Sequence, residues 1–350
     1  MPLIRSLVKA GFKVIVITQF DGYEKQIVNE VDKVYPLFIS RKGINPIVDL
    51  ITLLNIFSKL AIIRPDYLLL FTIKPVIYGS LAARILNIPH VPTITGLGTA
   101  FISRNWITKI ASLLYKISLR SVAIVFFQNN DDKELFILNG LVDSKVCKLS
   151  PGSGIDLDKF MFHQLPNELN MSFLFVGRML RDKGVVEFVD AARIVKKQHP
   201  MTSFQLLGPM DVENRTAISK AQINQWVNEG VVDYLGQTDN VSKFIQKSSC
   251  VVLPSYREGI SRVLLEASAV GRPIVASDVP GCREIVDNNL NGFLCKPKDS
   301  TDLANKIQAM LLLSYEKRVK MGLFGRKKME EEFDQGIVCK IYQDELKKIV

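Results

Sequence analysis

The chain has 350 residues, 47% of them apolar and 23% charged. That is too long for one comfortable core and too apolar for a disordered chain, so two globular domains of ordinary size are expected. The net charge of +10 is uneven: residues 1–150 carry 18 Lys and Arg against 10 Asp and Glu, the rest 27 against 25. A cationic first half implies a phosphorylated substrate, an acidic membrane surface or nucleic acid, unless it is simply a solvated basic surface. Nucleic acid would rest on charge alone, with no motif behind it, and is not expected as a partner.

The chain opens with a helical pattern near Pro2–Leu7, where Arg5 and Lys9 interrupt a short apolar start, so no signal peptide is expected there. Short β-branched runs then alternate with longer helical patterns. The predicted strands are Val14–Thr18, Tyr67–Phe71, His90–Ile94, Val122–Phe127 and Val146–Leu149. The most apolar stretch, Ile47–Ile63, is broken by Asp49, Asn55 and Lys59, and Pro65 follows it. It falls short of the ~20 residues of a spanning helix, and a buried crossover helix is expected.

The stretch Phe101–Arg120 carries Trp106, Ile107, Ile110, Leu113, Leu114 and Ile117 beside Arg104, Lys109, Lys116 and Arg120. A basic amphipathic helix with an aromatic at one end suits an anionic membrane surface. The other reading is a helix that packs its apolar stripe inward. The excess charge of the first half favours the membrane.

After a Pro, Gly and Asp stretch, Pro151–Asp158, come predicted strands Ser172–Val176, Phe204–Leu207, Val231–Leu235, Cys250–Pro254 and Ile274–Ser277. Nearly all are continuous apolar runs, as in parallel strands covered on both faces. Helical patterns such as Val185–Gln198 and Ser261–Val270 lie between them, so the expected class is α/β, two doubly wound domains. The boundaries are set at residues 1–157 and 158–335, with a helix at 336–350 bracing the two. In such sheets ligands lie beyond the carboxyl ends of the strands, which places the expected site in the cleft between domains.

Five cysteines without a CxxC pair and three scattered histidines offer no metal or thiol-redox constellation. The chain therefore reads as cytoplasmic and reduced, with no metal and no cofactor.

Two constellations carry chemistry. In Phe175-Val-Gly177-Arg178-Met-Leu-Arg-Asp-Lys183-Gly184 a strand ends, a glycine turns the chain, and two cations follow before a helix. A diphosphate requires close backbone approach, a forked Arg donor and a Lys point charge, although a basic loop after a strand is often only solvated. In Pro254-Ser-Tyr-Arg-Glu258-Gly259-Ile260-Ser261-Arg262-Val-Leu-Leu-Glu266, Ser261 is placed to cap a helix whose N–H groups and dipole favour a phosphate. Glu258 and Glu266 bracket that helix start, ready to accept hydrogen bonds from sugar hydroxyls. The turn Gly281–Glu284 is read as a plain strand-to-loop connection.

The spacing from Glu258 to Glu266, together with Val176-Gly-Arg178 and Lys183-Gly184, resembles glycosyltransferase family 4, retaining enzymes of the GT-B fold. Further matches are Gly152-Ser-Gly154-Ile-Asp156, Tyr234-Leu-Gly236-Gln-Thr238 and Gly271-Arg-Pro273 through Pro280-Gly281. The resemblance implies two Rossmann-like domains facing across a cleft, a UDP-sugar donor and no metal. It gives Arg178 and Lys183 the donor diphosphate, helped by Gly177, Gly259 and the N–H groups of Ile260, Ser261 and Arg262. Glu258 would contact the donor sugar, Glu266 the ribose, and Leu235 to Thr238 the base.

The stretch Thr93-Ile-Thr95-Gly96-Leu97-Gly98 resembles a narrower group that adds a hexosamine such as N-acetylgalactosamine to a sugar on undecaprenyl diphosphate. Those four residues, Thr95 to Gly98, are thereby expected on the acceptor side. The implied function is transfer of a hexose or N-acetylhexosamine to a lipid-linked saccharide in surface polysaccharide or glycan assembly, at the inner face of the membrane. Family members open with a strand and glycine loop that this sequence lacks ahead of Pro2, so a truncated, non-catalytic nucleotide-sugar-binding copy is the alternative. A UDP-sugar 2-epimerase is the other, and the scarcity of histidine argues against it.

Overall fold

The computed structural model describes residues 2–20, 22–40, 45–97, 106–120, 122–168, 170–210 and 212–349. Of the expected site and surface residues, Gly98, Phe101 and Arg104 lie outside these, and the side chains of Trp106 and Ile107 are likewise not described. The chain forms two compact units, one of residues 1–153 with 335–350 and one of residues 154–334. The closing helix, Gln335–Ile349, thus belongs to the first unit.

In the first unit the order is α1 (Pro2–Lys9), β1 (Ile15–Thr18), β2 (Lys33–Pro36), α2 (Pro46–Ile63), β3 (Leu68–Phe71), a wide helical turn at Pro75–Gly79 running into α3 (Ser80–Ile85), β4 (His90–Ile94), α4 (Trp106–Ser118), β5 (Val125–Phe127), α5 (Asn130–Leu138) and β6 (Cys147–Leu149). All pairings are parallel. They fall into two pieces, β1 with β2 and a sheet of order β3-β4-β5-β6, and no pairing joins the pieces among the described residues.

Strand alternation sends β5 side chains both ways. Val125 and Phe127 enter a core with Ile56 and Leu60 of α2, Ala82 and Ala83 of α3, and Tyr115 and Leu119 of α4. Phe126 faces the closing helix, where it packs on Tyr342 with ring centroids 4.6 Å apart. The Tyr342 hydroxyl sits 2.8 Å from Thr93 Oγ1.

The helix α2 forms where the sequence places it, started by Asn45, whose side chain accepts from the N–H groups of Ile47 and Val48, with Pro46 in the first turn. It is not the buried crossover helix that its composition suggests. Its buried positions are Asp49, Thr52, Ile56 and Leu60, while Ile47, Leu50, Ile51, Leu54 and Ile62 are exposed. The polar Asp49 is drawn inward by Lys74, whose Nζ donates to it over 2.8 Å, and the apolar residues take the outer side.

In the second unit the order is β7 (Ser172–Val176), α6 (Val185–Lys196), β8 (Ser203–Leu207), α7 (Lys220–Asn228), β9 (Asp233–Tyr234), α8 (Val241–Lys247), β10 (Cys250–Leu253), α9 (Arg262–Val270), β11 (Ile274–Ser277), β12 (Gly292–Cys295), α10 (Ser300–Leu312) and α11 (Tyr315–Lys328). They build a six-stranded parallel sheet of order β12-β11-β10-β7-β8-β9. The chain runs outward from β7 to β9, then returns to the other side of β7 and runs outward again, so the strand order reverses between β7 and β10. Phe173, Phe175, Phe188 and Phe204 fill the core, Phe173 and Phe204 stacked 5.5 Å apart.

The strands missing from the sequence reading are the two whose residues hide them. The Lys33–Pro36 run holds one Val between polar or breaking residues, and Gly292–Cys295 begins on a glycine. That glycine is required, because a Cβ there would lie 2.2 Å from the Ile274 carbonyl oxygen of the neighbouring strand.

Two helical glycines of α11 give a test of the packing. Replacing a helical Gly by Ala ordinarily gains about 1 kcal/mol. At Gly322 a Cβ would meet the Gly271 carbonyl oxygen at 2.1 Å, whereas at Gly325 the nearest atoms stand at an ordinary 3.5 Å. Gly322→Ala should therefore destabilise and Gly325→Ala should be neutral or stabilising. Urea unfolding of the two variants beside the parent checks the opposite signs.

Candidate functional site

A parallel sheet delivers the carboxyl ends of all its strands to one edge, and where strand order reverses the neighbouring loops diverge and leave a crevice. In the second unit that point lies between β7 and β10. The loops beyond them, residues 177–184 and 254–261, are the two constellations found in the sequence.

The structure brings them into contact. Gly184 has φ +76°, and a Cβ on it would lie 2.0 Å from the Pro254 carbonyl oxygen, so only glycine permits the approach. The Asp182 carbonyl accepts from Tyr256 N–H over 2.9 Å and from the Ser255 hydroxyl over 3.2 Å. Lys183 Nζ then reaches Glu258, at 2.6 Å from Oε1 and 2.8 Å from Oε2, with both side chains largely withdrawn from solvent. Arg178 stands exposed at the start of the same loop, and its guanidinium has no partner among the described residues.

The helix α9 begins where expected, but its start differs from the expected phosphate cradle. Ser261 occupies the cap position and is buried, yet its side chain caps no helix N–H. Its own N–H donates to the Gly281 carbonyl over 3.0 Å and is already committed. The Ile260 N–H has no partner among the described residues. The carboxyl of Glu266, one and a half turns in, is buried and accepts from Arg262 Nε over 3.0 Å. Burial pushes its pKa above the usual carboxylate range, with Arg262 and Lys159 pulling it back.

The turn after β11 is more than a connection, contrary to the sequence reading of Gly281–Glu284. The Pro280 carbonyl accepts the Glu258 N–H over 3.1 Å, the Gly281 carbonyl accepts from Ser261, and Glu284 Oε2 accepts the Gly281 N–H over 2.7 Å. Gly281 has φ +81°, and a Cβ would strike Glu258 Cβ at 2.6 Å. The turn therefore fixes where Glu258 stands. Tyr256 was also overlooked. Its hydroxyl donates to Glu187 Oε1 over 2.6 Å, and the Lys298 ammonium lies 4.7 Å from its ring centre. A glycine after a proline was the one sequence signal for the turn, and nothing marked Tyr256.

Leu235 and Thr238 follow β9 on the same sheet edge. Leu235 N–H donates to Leu206, the Gly236 carbonyl accepts from Gly208 N–H over 2.8 Å, and Thr238 Oγ1 accepts from Asn240 N–H over 3.0 Å. The neighbouring Gly177 packs backbone to backbone on Gly208, where a Cβ would lie 2.0 Å from the Gly177 carbonyl oxygen. Thr95, Gly96 and Leu97 follow β4 in the first unit, Gly96 with φ +113° and Leu97 buried.

Comparison with known proteins gives the following. Residues 158–328 match the family described as Glycosyl transferases group 1, and residues 1–129 the family described as Glycosyl transferase 4-like. The chain is 29% identical over 360 residues to the N,N'-diacetylbacillosaminyl-diphospho-undecaprenol alpha-1,3-N-acetylgalactosaminyltransferase of Campylobacter jejuni, covering 98% of this chain and 93% of that protein. It is 25% identical over 279 residues to the UDP-Gal:alpha-D-GlcNAc-diphosphoundecaprenol alpha-1,3-galactosyltransferase of Escherichia coli, covering 76% and 71%. Among solved structures, the Anabaena protein HepE in complex with UDP-glucose superposes with TM-score 0.80 at 19% identity, covering 99% of this chain and 95% of that one. A sucrose-phosphate synthase of Thermosynechococcus elongatus gives 0.82 at 19% identity, covering 99% and 91%. The architecture is GT-B.

The buried Glu266 makes a stability prediction. Its folded-state pKa lies above the unfolded one, so the folded state holds the proton longer and stability falls as pH rises through the window between them. Glu266→Gln removes that loss and leaves behind only an Arg262 that is already exposed. Relative to the parent, this variant should gain stability between pH 4 and pH 8. Urea unfolding at the two pH values reads the difference directly, and parallel curves would contradict it.

Proposed function

The chain belongs to the glycosyltransferases, joining a 4-like domain to a group 1 domain, and we propose that it moves a hexose or N-acetylhexosamine, with retention, from a UDP-sugar to a saccharide on a polyprenyl diphosphate. The observation that carries this reading is the meeting of Lys183 with Glu258 at the reversal of strand order, beside the exposed Arg178. The named activities of the Campylobacter and Escherichia relatives supply the acceptor class. The setting is surface polysaccharide or glycan assembly, at the inner face of the membrane, where the cations of α4 favour an anionic surface.

In this reading Arg178 and Lys183 hold the donor diphosphate, assisted by Gly177, Gly259 and the N–H groups of Ile260 and Arg262. The bond from the anomeric carbon to phosphate breaks with its electrons leaving on UDP, and these cations neutralise the charge that develops there. An acceptor hydroxyl bonds to the same carbon on the same face and passes its proton to the departing phosphate oxygen of UDP. Glu258 accepts from donor-sugar hydroxyls, Glu266 from the ribose, and Leu235 and Thr238 border the base. Thr95 to Gly98 serve the acceptor. The protein's own cations and a helix start do the electrostatic work, so no metal takes part.

The Lys183–Glu258 pair adds a constraint. The ammonium that would hold phosphate is already satisfied by a carboxylate, so the nucleotide has to displace it. Lys183→Ala should weaken UDP binding by about 1.5–3 kcal/mol, the worth of a hydrogen bond to a charged group. Glu258→Gln should bind UDP at least as tightly as the parent and yet lose transfer. Calorimetry with UDP, beside turnover of a UDP-sugar panel, separates the two; unchanged affinity in Lys183→Ala removes the diphosphate assignment.

Turnover should also survive EDTA. Activity lost on chelation and restored by Mg²⁺ or Mn²⁺ would count against a site built from protein cations alone.

A further inference from the structure

Helix α2 is built inside out for a helix that faces water. Its outward stripe runs Ile47, Leu50, Ile51, Leu54, Ser58 and Ile62, at helical spacing and without a charge. Leu54 is 57% exposed, Ile47 72% and Ile62 81%. Its two charged residues are turned away from that stripe: Asp49 is buried against Lys74, and Lys59 is half-buried with its Nζ 3.0 Å from Asn55 Oδ1. A water-facing helix shows the opposite arrangement, and a helix apolar on all sides belongs in a core or against lipid. This one is long and apolar enough to cross a bilayer by length and composition. Its inner side, however, is packed in the first unit's core through Thr52, Ile56 and Leu60, so it lies along the surface of the unit.

The surroundings identify what covers it. α2 packs on α3 and on the Pro75–Gly79 turn, and α4 packs on the same two elements. On α3, Ile85 is 67% exposed. Along α4 the exposed Ile110, Leu113 and Ile117 stand beside the exposed Lys109 and Lys116, and the exposed Arg120 follows just beyond its end. No Asp or Glu occurs between Asp66 and Asp131, a stretch that includes α3 and α4 and holds six Lys and Arg. An uncharged apolar ridge, in the same unit as a stretch of sequence that is basic and holds no acid, is complementary to hydrocarbon beneath anionic headgroups.

We propose that α2 is the membrane-inserting element of this protein, lying in the plane of an anionic bilayer with Ile47, Leu50, Ile51 and Leu54 in the acyl boundary while the cations of α4 meet the headgroups. The proposal rests on the lipid-linked acceptor argued above, since such an acceptor has to be met at the surface of its bilayer. It goes further in assigning an apolar anchor, and that assignment has a signature of its own. Attraction between charges is screened within about 3 Å at 1 M salt, whereas burial of apolar surface is not weakened by it.

The test uses the full chain and vesicles of phosphatidylglycerol and phosphatidylethanolamine. The parent should sediment with them at low salt and in substantial part at 1 M NaCl. Leu50→Asn/Leu54→Asn should lower the partition at least tenfold at both salts, while Lys109→Glu/Lys116→Glu should lower it mainly at low salt. Both variants should keep UDP affinity and turnover of a water-soluble short-chain acceptor, which shows that they are folded. Only the stripe variant should also lose turnover of a polyprenyl-linked acceptor embedded in vesicles at 1 M NaCl. A gain of signal guards against a merely damaged protein: in Leu54→Trp, fluorescence should shift to the blue on adding vesicles and be quenched by brominated lipid, beyond any change in the parent.

Equal partition of parent and stripe variant overturns the proposal, as does a Trp at position 54 that stays in water. A parent that is dimeric by sedimentation equilibrium, with a stripe variant that is monomeric and still binds vesicles, overturns it in favour of an interface between copies. Failure of the parent to bind UDP would instead strike the functional reading and leave the vesicle result standing.

Discussion

The second unit depends on one close approach. Gly184 lies against the Pro254 carbonyl at a distance that excludes any Cβ, and the loops beyond β7 and β10 touch because of it. That contact sets the Asp182 carbonyl within reach of Ser255 and Tyr256, and it carries Lys183 to Glu258. The positive φ of Gly184 also turns the chain directly into α6, whose Val185, Phe188 and Val189 are wholly buried. The loop therefore has a core helix on one side and a strand end on the other, and the cation has little freedom.

Acid and base at these loops are arranged in pairs that satisfy one another. Lys183 faces Glu258 and the exposed Arg262 faces Glu266, while the Arg178 guanidinium has no partner among the described residues. A buried carboxylate without a partner is costly, which explains why both acids have a cation at hand. A ligand bearing phosphates and hydroxyls can exchange for those partners, the phosphates taking the cations and the hydroxyls the carboxylates.

The first unit solves a different problem. Its β3-β4-β5-β6 sheet is covered on one face by the closing helix through Val338 and Tyr342, and on the other by α2, α3 and α4. The burial of Asp49 with Lys74 under α2 reverses the usual orientation of that helix and leaves its apolar stripe outside.

The sequence by itself determined the class, since continuous apolar runs such as Ser172–Val176 and Ile274–Ser277 have only a parallel, doubly covered sheet to occupy, and the structure has both strands at those bounds. It also singled out the loops at 177–184 and 254–261, because Gly177, Gly184 and Gly259 beside Arg, Lys and Glu are legible as local requirements. Only the tertiary structure decided that those loops meet, since the reversal of strand order between β7 and β10 is a fact of pairing that no local pattern records. The same holds for the turn at Gly281, which positions Glu258 from 23 residues away. It holds for α2 as well: composition gives how apolar a helix is, but not that Thr52, Ile56, Leu60 and Asp49 face inward, the last to a lysine 25 residues on, while the apolar stripe faces outward.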